Sequence, residues 1–223
     1  MGSNLFILCV ALVFGLATAP VFSAVPKNAA VMVSLASGGA QSKAVRAYYK
    51  ETQGQMIWLN NAGPSKKRLR AFVKAIEDAP THGLDPAKYP VQAIIDQLGR
   101  RAPAEQVAAA EGQISELFVE FCRDMQTGIL TPSRVSPDTK RKAPLRDPKS
   151  YLEAYVNSTP NAFFKSLAPQ TDRYKDLVAA KARFETLIKR GGWGAQVASG
   201  PTMRPGEAGA RIADLRKRLG RMG

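Results

Sequence analysis

The sequence has 223 residues, 45% of them hydrophobic, which is enough to bury the core of one sizeable domain with room for a small second one. Its 32 Lys and Arg residues outweigh 18 Asp and Glu residues. The two cysteines are Cys9 and Cys122, and Cys9 lies in an N-terminal segment that resembles a cleavable leader. Cleavage would leave Cys122 as the sole cysteine, which excludes an intramolecular disulfide in the mature chain. The net charge of +14 indicates either an ordinary basic protein or one attracted to nucleic acid, an anionic membrane or a carboxylate-bearing wall polymer.

Residues 1–24 carry no charged side chain and contain an apolar run from Leu5 to Leu16. This pattern is typical of a secretory signal peptide, with cleavage predicted after Ala24. Phe22 is bulky where cleavage sites prefer a small residue, and no Lys or Arg precedes the run, so an uncleaved membrane anchor is the alternative. We expect export in either case, membrane contact only through this segment, and a flexible leader over residues 25–42.

From residue 43 onward, helical signals follow one another, and no window shows sustained strand alternation. A helix is predicted from Lys43 to Thr52, and Trp58 in the apolar segment after it is expected to anchor the core. Ser65 has the chemistry of an N-cap for the next helix, which is expected to end at Pro80. Asp85, followed by proline, is expected to cap another helix.

The longest predicted helix runs from Pro103 to Thr127 and ends at Gly128. Residues 129–149 lack periodicity and have a basic excess, which predicts a surface loop able to touch an anionic partner. Asp147 and Thr159 each precede a proline and are expected to begin short helices. The apolar residues of a final long helix are Tyr174, Leu177, Val178, Phe184, Leu187 and Ile188. The sequence therefore predicts an all-α, irregular multi-helix fold.

The residues alone indicate no catalytic centre. No window contains a phosphate-binding glycine loop, a CxxC pair, an HExxH motif or a GxSxG motif, and we predict no cofactor and no metal site. Cys122 lies beside Phe118 and Phe121 on an apolar helix face, which favours a buried core residue over a nucleophile. His82 is the sole histidine and lies in a turn, where we expect it to hydrogen-bond a helix end.

Five segments carry a family resemblance through their order. They are Tyr49 to Leu59 with Met-Ile-Trp-Leu, Phe72 to Tyr89 with His-Gly-Leu-Asp-Pro, Phe118 to Pro132 with a Gly-x-Leu-x-Pro exit, Leu167 to Trp193 ending in Gly-Gly-Trp, and Met203 to Leu219. The first four resemble the non-catalytic N-terminal scaffold region of the large murein L,D-transpeptidases of Gram-negative bacteria. The last is similar to the first helix of a peptidoglycan-binding domain.

The resemblance implies a helical scaffold over residues 43–198 and a linker with the start of a peptidoglycan-binding domain over residues 199–223. We expect that domain to be truncated, since four residues follow Leu219. The implied setting is the periplasm, and the implied role is peptidoglycan cross-linking or wall remodelling, with peptidoglycan or other wall enzymes as partners. The basic side chains expected to contact the wall polymer are Arg204, Arg211, Arg216 and Arg218.

In that family the reaction uses a Cys nucleophile and a His in a separate β-rich domain with a Ser-His-Gly-Cys motif. This sequence has no such motif, and neither Cys122 nor His82 matches those positions, so the resemblance assigns no catalytic residue here. The Gly191-Gly192 turn is predicted to direct the Trp193 ring back onto the helical body.

Two alternatives remain open from the sequence. The net charge of +14 and basic helix faces suggest a nucleic-acid-binding protein, but the signal-like start and the lack of a recognition-helix motif argue against nucleic acid as a partner. An exported adaptor that holds other wall enzymes by its helical surface is equally consistent with the sequence, and the oligomeric state stays open.

Overall fold

The computed structural model describes residues 27–36, 43–99, 101–138 and 144–222. The predicted leader at residues 1–24 lies outside these ranges. Within them the chain forms helices and no strands, which confirms the all-α prediction. No helix found there combines the length and the apolar character needed to cross a membrane.

Ten α-helices and two short 3₁₀ helices make up the described part of the chain. The α-helices are α1 (Lys27–Ala36), α2 (Lys43–Glu51), α3 (Gly63–Glu77), α4 (Val91–Gln97), α5 (Ala104–Thr127), α6 (Pro132–Val135), α7 (Pro148–Val156), α8 (Pro160–Leu167), α9 (Asp172–Lys189) and α10 (Ala210–Met222). The 3₁₀ helices, Ala79–His82 and Pro86–Lys88, lie between α3 and α4.

Helix α5 is the centre of the fold, and it contacts α1, α2, α4, α7 and α8. Its apolar side chains recur every three or four residues, so one broad face of the helix can be covered by neighbours. Ile114, Phe118, Phe121 and Cys122 on that face are fully buried. The helix begins one residue after the predicted start and ends at Gly128 as predicted.

Aromatic rings fill the space between α5 and its neighbours. The Trp58 side chain is 1% exposed, and its ring centroid lies 5.5 Å from that of Phe72, 5.2 Å from that of Phe118 and 5.5 Å from that of Tyr155. Such ring pairs add about 0.5–1.5 kcal/mol each beyond the burial of their area. Trp58 is therefore a core anchor, as predicted.

The helix starts follow the predicted capping chemistry in most places. The Asp85 carboxylate accepts a hydrogen bond from the Ala87 amide at 2.9 Å, and the Asp147 carboxylate accepts one from the Lys149 amide at 3.2 Å. The prediction for Ser65 is wrong. Helix α3 starts two residues earlier, at Gly63, because a proline in its first turn begins the helix, and the Ser65 side chain is buried inside it.

The prediction of a flexible leader over residues 25–42 is wrong for residues 27–36, which the structure describes. Helix α1 occupies residues 27–36, and its Ala30 and Val31 side chains are buried in a helix that packs on α5. Gly54 allows this close approach, because its φ of +74° disfavours other residues and a Cβ atom there would collide with the carbonyl oxygen of Asn28. The small apolar side chains of this segment therefore cover part of the core.

Helix α9 has an apolar stripe that the rest of the described structure leaves uncovered. None of its residues is buried, and Leu177, Phe184 and Ile188 are respectively 63%, 46% and 70% exposed. Its main contact with another element is with the 3₁₀ helix Ala79–His82. The sequence pattern predicted the helix correctly, but the structure attaches it mainly near its N-terminal end.

We expect Phe118→Ala to lower the free energy of unfolding by about 3–5 kcal/mol, because it removes a fully buried ring and leaves a cavity. The matched change Phe184→Ala on α9 should alter it by no more than about 0.5 kcal/mol, since that residue is 46% exposed and does not belong to the core cluster of the described residues. Urea denaturation followed by circular dichroism measures both. A loss of similar size in the two variants would mean that α9 is packed against the core in solution.

Candidate functional site

Two of the four arginines predicted to contact a wall polymer are bound within the chain. The Arg211 guanidinium donates hydrogen bonds to the carbonyl oxygens of Ala198 at 2.9 Å and Pro201 at 3.1 Å. Arg218 donates to the carbonyl oxygens of Gly194 at 3.1 Å and Ala195 at 3.0 Å. These two side chains lie two turns apart on α10, and they hold the segment between α9 and α10, residues 190–209, against that helix.

The other two arginines predicted to contact the wall polymer remain accessible. Arg204 and Arg216 are exposed, and the backbone amide of Arg204 donates to the Glu207 carboxylate at 3.0 Å. Their guanidinium groups are therefore available to an anionic ligand, whereas those of Arg211 and Arg218 already bind backbone carbonyls. The structure thus leaves Arg204 and Arg216 as the accessible pair among the four.

The prediction that Trp193 packs on the scaffold is wrong. Its side chain is 41% exposed, and the Arg218 guanidinium lies 5.8 Å from the ring centroid, in the geometry of a cation–π contact. Gly191 and Gly192 have φ values of +95° and +62°, so the chain turns sharply after α9. That turn brings the indole ring against α10.

Cys122 has the environment of a structural residue. Its side chain is fully buried, and burial raises the pKa of the thiol well above its usual value. A thiol in such surroundings stays protonated and inert, because the thiolate is the nucleophilic form. The prediction of a core cysteine is confirmed.

His82 binds a different partner from the one predicted. Its Nδ1 atom lies 2.8 Å from the hydroxyl oxygen of Tyr174, and the two rings are nearly parallel with centroids 6.1 Å apart. The partner is thus a side chain in the first turn of α9, and not the end of a neighbouring helix. This pair links the 3₁₀ helix Ala79–His82 to α9.

A buried carboxylate on α5 was not predicted. The Glu111 carboxylate is fully buried and accepts hydrogen bonds from the backbone amides of Ile57 at 2.5 Å, Trp58 at 3.1 Å and Leu59 at 2.9 Å. It also accepts one from the Tyr49 hydroxyl at 2.8 Å. Burial raises the pKa of Glu111, and these hydrogen bonds oppose the rise.

Ser115, one turn along α5, extends this arrangement. Its Oγ atom accepts a hydrogen bond from the Trp58 indole nitrogen at 2.8 Å and lies 2.8 Å from the Tyr49 hydroxyl. Because Glu111 falls three residues before Ile114 and seven before Phe118, its position on the apolar stripe was the available sign that it is buried.

A second buried carboxylate lies near the end of α5. Asp124 accepts hydrogen bonds from the Lys88 ammonium at 2.5 Å and the Tyr89 hydroxyl at 2.8 Å, and Lys88 also pairs with Glu120 at 3.0 Å. Burial and the bond to Asp124 raise the pKa of Tyr89, so its hydroxyl stays protonated and keeps donating. These contacts tie α5 to the turn after the His-Gly-Leu-Asp-Pro segment.

The predicted basic loop is only partly described. Lys140, Arg141 and Lys142 lie outside the described residues. Lys149 is not free for an anionic partner, because it pairs with Glu51 at 2.8 Å and with Glu153 at 3.1 Å. In the described ranges, no group of three or more His, Cys, Asp or Glu side chains is arranged to hold a metal ion.

A family model described as Scaffold domain matches residues 43–180, more than half of the chain. The chain belongs to the Scaffold domain family. No curated protein and no solved structure matches the chain.

The Scaffold domain match begins with α2 and ends within α9. It contains the buried carboxylates Glu111 and Asp124 and the aromatic core, and the four arginines predicted to contact the wall polymer lie beyond it. The scaffold part of the sequence-based resemblance is therefore confirmed.

We expect Glu111→Gln to lower the stability of the Scaffold domain by about 1–3 kcal/mol, because an amide replaces a charged acceptor that binds three backbone amides and a phenol. Glu105→Gln, an exposed change on the same helix, should stay within about 0.5 kcal/mol of the parent. Urea denaturation compares the two. Equal stability of Glu111→Gln and the parent would contradict an anchoring role for this carboxylate.

The stability of the Scaffold domain should also depend on His82. Burial lowers the pKa of His82 below its usual value of 6.5, and Asp78 opposes that change. The unfolded chain therefore takes up a proton near this pH more readily than the folded chain, and stability is lost as pH falls through that range. Between about pH 7.5 and about pH 5.5, we expect a smaller decrease in the free energy of unfolding for His82→Gln than for the parent. Parallel pH profiles of the two proteins would rule this linkage out.

Proposed function

We propose that this chain is the non-catalytic scaffold portion of an exported murein L,D-transpeptidase-like protein that acts in peptidoglycan cross-linking or wall remodelling. The observation that carries the proposal is the Scaffold domain match over residues 43–180. It contains the first three segments that resemble, in order, the scaffold region of those enzymes, and it includes the start of the fourth. The periplasm is the proposed location, because residues 1–24 have the pattern of an export signal.

The resembling segments have structural roles that support this proposal. Trp58 of the Met-Ile-Trp-Leu segment lies at the centre of the aromatic core, and its amide is bound by Glu111. In the His-Gly-Leu-Asp-Pro segment, Gly83 has a φ of +79° and Asp85 caps the following 3₁₀ helix. The likeness thus rests on residues that determine the fold.

The proposed role of the chain is to bind the wall polymer, and we propose no catalytic role for its cysteine or its histidine. Cys122 is enclosed in the core, and the His82 imidazole is bound to Tyr174. We propose that the exposed Arg204 and Arg216 contact the carboxylates of the wall polymer. Arg211 and Arg218 would instead hold the segment between α9 and α10 against α10.

The proposal is tested by co-sedimentation of the purified chain with murein sacculi. We expect the chain to sediment with the sacculi, and the double change Arg204→Glu and Arg216→Glu to reduce the bound fraction several-fold, because both cations become anions. The matched control is Lys67→Glu with Arg70→Glu on α3, two exposed residues with the same total change in charge. Binding that is lost equally in both variants, or absent in the parent, would refute this role.

Two further measurements separate the proposal from its rivals. The purified chain should yield no peptide-exchange product with tetrapeptide muropeptides, and an exchange activity that disappears in Cys122→Ala would sink the proposal. The net charge of +14 favours nucleic-acid binding as a second candidate. Retention of a nucleic acid on filters by the chain at near-physiological salt would support that candidate instead.

A further inference from the structure

A groove lies where α5 ends, and we name it the α5 exit groove. It is lined by Lys88, Arg123, Asp124, residues 127–133 and Leu145, and its volume is about 580 Å³. This volume is within the range of about 300–1,000 Å³ that is usual for ligand pockets. The groove is therefore large enough for a few residues of an extended peptide.

The groove exposes an unusual amount of apolar side chain. Ile129 is 53% exposed, Leu130 is 69% exposed, and Leu145, from the segment before α7, is 66% exposed. Gly128 ends α5 with a φ of +78° and a ψ of 165°, a conformation that is essentially restricted to glycine. Single exposed apolar residues are ordinary, but three at one groove indicate a contact surface.

The rim of the groove is cationic. The side chain of Arg123 is 52% exposed, and its contact with Asp124 is a long one of 3.6 Å. Asp124 is already bound by Lys88 and Tyr89, and Glu120 is also paired with Lys88. The nearby carboxylates are thus largely neutralised, and Arg123 remains able to bind a further anion.

A second cation is adjacent to the groove in the chain. Arg146 directly follows Leu145, which lines the groove, and it is exposed and forms no ion pair with any described residue. Consecutive Cα atoms are about 3.8 Å apart, so the Arg146 side chain begins close to the groove.

We propose that the α5 exit groove binds an extended acidic segment of another protein. A branched apolar side chain of the partner packs among Ile129, Leu130 and Leu145, and its carboxylates pair with Arg123 and Arg146. Charge complementarity favours this occupant over a second copy of the chain, because two copies with a net charge of +14 repel each other. The site is separate from Arg204 and Arg216, so it does not depend on the proposed wall contact.

The test uses the full chain and a short fluorescein-labelled peptide of Glu and Leu residues, with fluorescence anisotropy as the readout. We expect saturable binding that weakens by about tenfold in Arg123→Glu and in Arg146→Glu. Ile129→Ser with Leu130→Ser should weaken it to a similar extent, because the apolar contact is lost. Circular dichroism of each variant checks its fold. Each arginine is changed in a separate variant, so each tests the site on its own.

The matched controls lie in the C-terminal half of α9, away from Tyr174, which is the α9 residue that shares a cavity lining with Ile129 and Leu130. Arg183→Glu and Ile188→Ser, both at exposed positions, should leave the affinity within about twofold of the parent. A peptide of Glu and Ser, and one of Lys and Leu, should each bind at least about tenfold more weakly than the Glu and Leu peptide.

Several results would overturn the proposal. Equal losses in Arg183→Glu and Arg123→Glu would show attraction to the overall charge and no groove site. Tighter binding of a soluble disaccharide-tetrapeptide at the same residues would assign the groove to the wall polymer. Dimerisation that is abolished by Ile129→Ser with Leu130→Ser, seen by analytical ultracentrifugation, would assign it to a second copy of the chain.

Discussion

The hydrogen bonds of one buried carboxylate determine how this fold can close. The segment between α2 and α3 carries Trp58 into the aromatic core, and its backbone amides enter the core with it. Unpaired, each buried amide would cost about 1–3 kcal/mol. Glu111 of α5 accepts from three of them, so the indole ring can be buried without leaving those donors unsatisfied. The position of α5 and the packing of the aromatic rings depend on that arrangement.

Much of the fold could be predicted because the signals are local. The apolar stripe of α5, the caps at Asp85 and Asp147, and the burial of Trp58 follow from spacing and from the chemistry of single residues. The features that the sequence did not predict depend on packing between distant segments. The pattern of α9 indicates an apolar stripe but not whether anything covers it, and α1 lacks a strong pattern although it packs on α5. Both outcomes depend on distant parts of the chain.

The candidate site was less predictable than the fold for the same reason. The four arginines predicted to contact the wall polymer are alike in the sequence. Arg211 and Arg218 bind carbonyl oxygens of the segment between α9 and α10, whereas Arg204 and Arg216 are exposed. Which cations are used internally is set by how that segment folds back on α10. The α5 exit groove likewise brings together residues from the end of α5 and from the segment before α7, and no local pattern relates them.

The attachment of α9 has a mechanical consequence. The helix is held mainly at the end where Tyr174 meets His82, and its 18 residues span about 27 Å at 1.5 Å per residue. A helix held in this way has the geometry of a lever with its pivot on the 3₁₀ helix Ala79–His82. A tilt of about 10° at the pivot displaces the far end by about 5 Å. The segment that follows Gly191 and Gly192 would move with the far end of α9. The contact between His82 and Tyr174 would therefore set how far that segment can be displaced from the helical body.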